Sequence, residues 1–129
     1  MRSVFKYLSA ITLALTALNA AAMPTHYITH NDTDLETNAF ISGEIASPFP
    51  TIAHTTRKVA WKMVRLGCGR TTNGLCAAVI KLGTDTPDPI FIGTLYMDMD
   101  SGEITPQMIS ANGYTLQVNG IAEVTIFKE

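Results

Sequence analysis

Two histidines and a Met-x-Met pair are the residues of this sequence that could bind a soft metal ion. His26 and His30 lie on a polar stretch near the N-terminus, and Met97 and Met99 alternate along a predicted strand. Thioether and imidazole groups suit monovalent copper, so a periplasmic copper-binding protein is one alternative function. Alternation would equally place both methionines in a packed core. We therefore predict no metal site and no cofactor.

The two cysteines are Cys68 and Cys76, and they bracket a turn that contains Asn73-Gly74. In an exported protein, an even pair around a turn predicts a structural disulfide. Two thiols without a nearby histidine cannot complete a tetrahedral zinc site. Their spacing also differs from the Cys-x-x-Cys of redox-active pairs. The expected role of this bond is to clip a hairpin.

The sequence carries no recognisable catalytic motif. No serine lies in a Gly-x-Ser-x-Gly setting, and no glycine-rich phosphate loop follows a predicted strand. Catalytic sites are recognised by converging nucleophiles, bases and orienting groups, and the sequence indicates no such convergence. We therefore predict a non-enzymatic binding or interaction module.

Charge is distributed unevenly along the chain. Residues 45–84 contain six basic residues and no acid, whereas residues 82–127 contain six acids and no Lys or Arg. One interpretation is that neighbouring strands complement each other's charge. The other is a basic binding surface for an unknown protein or an anionic surface ligand, because exposed Arg and Trp often dominate binding energy. The predicted binding residues are Lys58, Trp61, Lys62, Arg65 and Arg70. For Trp61, an interior position is the commoner explanation and an exposed apolar patch is the alternative.

The first 22 residues have the composition of a signal peptide. Arg2 and Lys6 form a basic front, residues 8–18 are apolar, and small residues lead to a predicted cleavage site after Ala22. The mature chain, residues 23–129, would be periplasmic or secreted. It contains no second long apolar run, so we predict no membrane span. Its seven Lys and Arg against eleven Asp and Glu do not favour nucleic-acid binding.

Short β-branched and aromatic runs separated by Gly, Pro, Asn and Asp predict one all-β domain over residues 23–129. We expect an antiparallel sandwich or flattened barrel of about seven short strands. Residues 23–37 are polar and predict a loose arm or a first edge strand. Residues 57–66 and 75–82 are predicted to form the hairpin that the disulfide clips.

The last hairpin turns near Asn119-Gly120. A three-residue loop, residues 119–121, would place all the apolar residues of both strands on one side. We therefore predict that odd-length loop. The residues expected to share the buried side are Tyr114, Leu116, Val118, Ala122, Val124 and Ile126.

Four stretches of the chain, residues 38–43, 47–51, 71–81 and 112–120, resemble a group of small exported proteins of Gram-negative bacteria. No activity is established for that group, so the resemblance implies export alone. Separately, Ser110-Ala111-Asn112-Gly113-Tyr114 followed by Asn119-Gly120 is similar to the inhibitory loop and hairpin of periplasmic lysozyme inhibitors. That resemblance implies an alternative function as a small inhibitor of a secreted lysozyme or protease.

Overall fold

The computed structural model describes residues 23–69 and 73–129 of the chain. The predicted signal peptide and its cleavage site therefore lie outside the described residues. Within them the chain forms ten strands and one short helix, and that helix is too short to cross a bilayer. The elements in chain order are β1 (His26–Asp32), β2 (Thr37–Ile41), β3 (Ile45–Ala46), β4 (Thr55–Ala60), α1 (Trp61–Gly67), β5 (Leu75–Leu82), β6 (Ile90–Asp98), β7 (Ile104–Thr105), β8 (Met108–Ala111), β9 (Tyr114–Gly120) and β10 (Glu123–Lys128).

The strands form two five-stranded sheets that pack face to face. Sheet A has the order β4-β1-β10-β9-β8, and sheet B has the order β3-β2-β5-β6-β7. Buried side chains of both sheets share one apolar core, so the predicted all-β sandwich is confirmed. Neighbouring strands are antiparallel apart from the parallel pair β1 and β10. The strands outnumber the predicted seven partly because β3 and β7 are only two residues long.

The N-terminal segment forms a central strand, so the prediction of a loose arm or edge strand is wrong. β1 lies between β4 and β10. Its buried side carries the polar residues Thr29 and Asn31, which weakens the alternating apolar pattern that identifies a strand. The amide of Asn31 donates to the carbonyl oxygens of Leu35 and Thr51 at 2.7 and 3.0 Å. These hydrogen bonds allow a polar side chain to be fully buried.

The predicted strand 57–66 is wrong beyond Ala60, where β4 ends and α1 begins. β4 pairs with β1 in sheet A, whereas β5 pairs with β2 and β6 in sheet B. The chain therefore crosses from one sheet to the other through α1. Its residues Lys62, Met63 and Arg65 favour a helix, but seven residues are too few to show helical periodicity.

The predicted disulfide joins Cys68 to Cys76, whose Cα atoms are 5.6 Å apart. Cys68 directly follows α1, and Cys76 is the second residue of β5. The bond therefore clips the reversal from the end of α1 into sheet B.

The C-terminal hairpin has the predicted buried side but a different turn. The buried residues of that side are Leu116, Val118, Ala122, Val124 and Ile126. The predicted loop 119–121 is wrong, because the chain turns at Ile121 and Ala122 and a β-bulge follows between Glu123 and Val124. The bulge adds one unpaired residue to the hairpin. This extra residue keeps the apolar side chains of both strands on one face.

The two sheets approach each other closely where β6 meets β8. Gly93 in β6 has a φ of +150°, and a Cβ placed on it would lie 2.8 Å from Ile109 Cδ1. A glycine is therefore required for this contact. On the opposite side of the sandwich, the edge strands β3 and β4 belong to different sheets and are not paired with each other. The interior can therefore open on that side.

Candidate functional site

A cavity of about 360 Å³ lies between the two sheets. Its outer part is lined by residues of β3, β4, α1 and the connector between β3 and β4, several of which are exposed. Its deep wall is apolar and comes from both sheets. The deep-wall residues include Ile80, Leu95, Met97, Ile104, Leu116 and Ile126. The cavity therefore opens where β3 and β4 form the sheet edges, and we call this opening the mouth.

The cavity is larger than the voids that a packed interior normally leaves. Protein cores contain few voids larger than a water molecule, and an engineered apolar cavity of about 150 Å³ already binds benzene. Small-molecule sites usually measure about 300–1,000 Å³. Ala39 and Ala78 face the cavity from β2 and β5, and their small side chains leave space that a longer aliphatic side chain would fill. Size and lining both suit an apolar molecule.

Few polar groups interrupt the deep wall. Tyr27 and Thr29 line it from β1, and Thr37 lines it from β2. Burial raises the pKa of the Tyr27 hydroxyl, because the phenolate would lose its hydration. The hydroxyl therefore stays neutral at physiological pH. The hydroxyl of Thr37 already donates to the carbonyl oxygen of Lys81 at 3.0 Å, so the wall offers packing rather than charge.

Helix α1 and the disulfide form one side of the mouth. Met63, Val64 and Leu66 line the cavity from α1, although Leu66 is 73% exposed. Cys68 and Cys76 line it as well, and both are buried. The disulfide thus fixes the C-terminal end of α1 to sheet B beside the cavity.

Trp61 was one of the predicted binding residues, with burial as the other interpretation, and its side chain is only 6% exposed. It packs in a second core cluster with the disulfide, Met99 and Ala122. Its backbone N–H donates to the carbonyl oxygen of Thr25 at 2.9 Å. The ring Nε1 has no hydrogen-bond partner within the described residues. Trp61 therefore anchors the start of α1 and does not present its ring to solvent.

Three of the basic residues predicted for binding lie on β4 and α1, but they do not line the cavity. Lys58, Lys62 and Arg65 are all exposed. Lys58 lies on the outer side of β4, because its neighbours Arg57 and Val59 line the cavity. Lys62 and Arg65 lie beside a shallow surface depression on α1. Arg70 lies outside the described residues.

Arg57 is the basic residue at the cavity itself, and the sequence prediction did not select it. It is the only charged residue among the described residues that line the cavity. Its guanidinium carbon lies 5.3 Å from the centroid of the Phe49 ring, and Nη1 donates to the carbonyl oxygen of Pro50 at 2.9 Å. These two contacts hold an exposed cation at the mouth.

The residues of the copper hypothesis do not come together. His26 and His30 lie on the outer side of β1, since Tyr27 and Thr29 line the cavity. Met97 lines the cavity from sheet B. His30 Nε2 lies 2.7 Å from a carboxylate oxygen of Glu123. Residues 23–69 and 73–129 contain no group of three or more His, Cys, Asp or Glu residues that could hold a metal ion.

The segment that resembles an inhibitory loop is a tight hairpin turn. Ala111 pairs with Tyr114, and Asn112 and Gly113 both have positive φ, as a two-residue β-turn requires. The side-chain amide of Asn112 donates to the carbonyl oxygen of Phe91 at 2.7 Å. The turn is therefore held against the neighbouring sheet instead of projecting from it.

Sequence reasoning did not identify the cavity. A buried alanine on a strand looks the same in sequence whether a neighbouring side chain or empty space faces it. The one available signal was the acid-free segment, residues 45–84, because it supplies every element around the mouth.

Comparisons with known proteins agree on one family. The family described as "T2SS substrate NttC" matches residues 1–129 of the chain. The crystal structure of the Legionella pneumophila type II secretion system substrate NttC is 50% identical in sequence, with a TM-score of 0.81. The match covers 82% of this chain and 99% of that chain. None of the curated proteins compared with the chain matches it.

Proposed function

The chain belongs to the NttC family of type II secretion system substrates, and from this premise we propose that it is a secreted, non-enzymatic binding protein that holds an apolar small molecule between its two sheets. The observation that carries the proposal is the 360 Å³ apolar cavity with a mouth on one side of the sandwich. A sandwich stabilised by packing alone would fill this space with side chains.

Transfer of an apolar molecule from water into the cavity supplies the driving force for binding. Each methylene group buried contributes about 0.8 kcal/mol, so a chain of about ten methylenes would contribute roughly 8 kcal/mol before the entropic cost of association. The flexible side chains of Met63 and Met97 line the cavity and can adapt to ligands of different shape. Affinity would therefore depend mainly on the length of the apolar group.

Export of the chain fits the same proposal. The predicted signal peptide would direct the chain to the periplasm, an oxidising compartment in which the Cys68–Cys76 disulfide can form. The family description supports onward secretion through the type II system. The exposed cations Lys58, Lys62 and Arg65 would then lie on the outer surface of a carrier that works outside the cell.

A titration with the neutral fluorescent probe N-phenyl-1-naphthylamine tests the proposal. Ala78 faces the cavity, whereas its neighbour Ala77 lies on the outer side of sheet B. We expect the wild-type protein to bind the probe and Ala78→Leu, which fills part of the cavity, to lower its affinity about tenfold or more.

Ala77→Leu is the matched control, because it makes the same change one residue away on the other face. It should bind the probe as the wild type does, and near-UV circular dichroism should show that both variants are folded. Absence of probe binding by the folded wild-type protein, or equal affinities of the two variants, would contradict a ligand site between the sheets.

A further inference from the structure

Among the described residues, the mouth of the cavity contains one cation, Arg57, and no carboxylate. β3, the connector, β4 and α1 all come from residues 45–84, which contain no Asp or Glu. The described residues that line the cavity include no acid from any element. The described residues that line the cavity would therefore attract an anionic group, and none of them would repel it.

Arg57 presents unused hydrogen-bond donors at this mouth. The guanidinium group has five N–H donors, and the structure gives it one hydrogen bond, from Nη1 to the carbonyl oxygen of Pro50. Arg57 forms no salt bridge with a carboxylate of the described residues. The Phe49 ring under the guanidinium restricts its motion, so less entropy would be lost when an oxyanion binds.

We propose that the cavity binds a fatty acid, with its alkyl chain between the sheets and its carboxylate accepting hydrogen bonds from Arg57. This inference rests on the proposed function and names the class of ligand. The planar guanidinium matches a carboxylate with two parallel hydrogen bonds. The apolar wall behind Arg57 matches the alkyl chain.

The number of charges favours a carboxylate over a phosphate headgroup. A phosphate monoester carries a charge of about −1.5 to −2 at neutral pH, whereas a carboxylate carries −1. Among residues 23–69 and 73–129, Arg57 is the one cation that lines the cavity, because Lys58 lies on the outer side of β4 and Lys62 lies on the outside of α1. One guanidinium can neutralise one carboxylate.

The cavity volume favours a single alkyl chain. At about 360 Å³, it lies near the lower end of the range for small-molecule sites, about 300–1,000 Å³. A ligand with two acyl chains would leave much of its apolar surface in water. The free acid is therefore the form that both the cavity and the mouth accommodate.

Calorimetric titration with dodecanoate and dodecan-1-ol, both kept below their aggregation concentrations, tests this inference. The two probes share the alkyl chain and differ in the headgroup. In Arg57→Gln, we expect the affinity for dodecanoate to fall about tenfold or more, because a charge-assisted pair is lost. The affinity for dodecan-1-ol should stay within about twofold, which shows that the cavity is intact.

Lys58→Gln is the matched control, since it removes the same charge from the next residue and from the other side of the strand. It should leave the affinity for dodecanoate within about twofold of wild type. Equal losses in the two variants, or no loss in Arg57→Gln, would overturn the role of Arg57 while binding of dodecan-1-ol still supported the cavity. If neither probe binds, the proposed function fails as well.

Discussion

Gly93 shows how one residue sets the distance between the two sheets. Its φ of +150° and the position of Ile109 Cδ1, 2.8 Å from where a Cβ would lie, leave no space for a side chain. This contact closes the β6–β8 side of the sandwich. The sheets therefore separate toward β3 and β4, on the side where the cavity opens.

Gly93→Ala should lower the free energy of unfolding by about 1–3 kcal/mol, because the added methyl group overpacks the contact with Ile109. Urea denaturation monitored by circular dichroism measures this change. Gly120→Ala is a suitable control, since a Cβ there would meet no atom within 4 Å. Its stability should stay within about 0.5 kcal/mol of wild type. Equal stabilities of the two variants would show that the sheets do not meet closely at Gly93.

The type of a residue was enough to predict the position of some side chains and not of others. Cys68 and Cys76 were paired correctly, because spacing and compartment both constrain a disulfide. Trp61 was selected as a binding residue although burial was also expected, because an aromatic ring suits a surface and a core equally well. Arg57 and Lys58 are adjacent and equally charged, and only the register of β4 decides which of them faces the cavity. Sequence pattern alone could not fix that register.

At the scale of elements, the stability of α1 depends on contacts at its two ends. Trp61 is buried where the helix begins, and the disulfide ties its C-terminal end to β5. An isolated helix of seven residues would not be stable in water. The helix therefore forms because these attachments hold it beside the mouth.

Replacing both cysteines, in the double variant Cys68→Ala with Cys76→Ala, should lower the free energy of unfolding by about 2–3 kcal/mol, the value expected for a short closed loop. Denaturant titration measures this loss. A reducing agent should destabilise the wild-type protein by a similar amount and leave the double variant unchanged. A double variant as stable as the oxidised wild type would contradict the stabilising role of the disulfide.

The strands and the helix could be predicted only where the apolar pattern of the sequence is regular. The apolar side of β9 and β10 was predicted correctly, because alternation there is regular and burial selects one face. The central position of β1 was missed, because hydrogen-bonded polar residues replace apolar ones on its buried side. α1 was missed, because it is shorter than the window in which periodicity can be recognised.

At the scale of the whole molecule, the fold class was predictable and the cavity was not. Short strands separated by turn residues are typical of a β-sandwich, and the structure has one. Which strands share a sheet depends on contacts between distant residues, such as the parallel pairing of β1 with β10. The space between β4 and β3 follows from that topology, and no local pattern encodes it.

The most direct test of a ligand site between the sheets is methyl NMR spectroscopy of the isotope-labelled mature protein during titration with N-phenyl-1-naphthylamine. We expect intermolecular NOEs and shift changes at the deep-wall methyl groups of Ile80, Leu95 and Ile104. The exposed methyl groups of Ile52 and Ile121 should show neither. Changes confined to exposed methyl groups, with the deep-wall signals unmoved at saturation, would contradict the account.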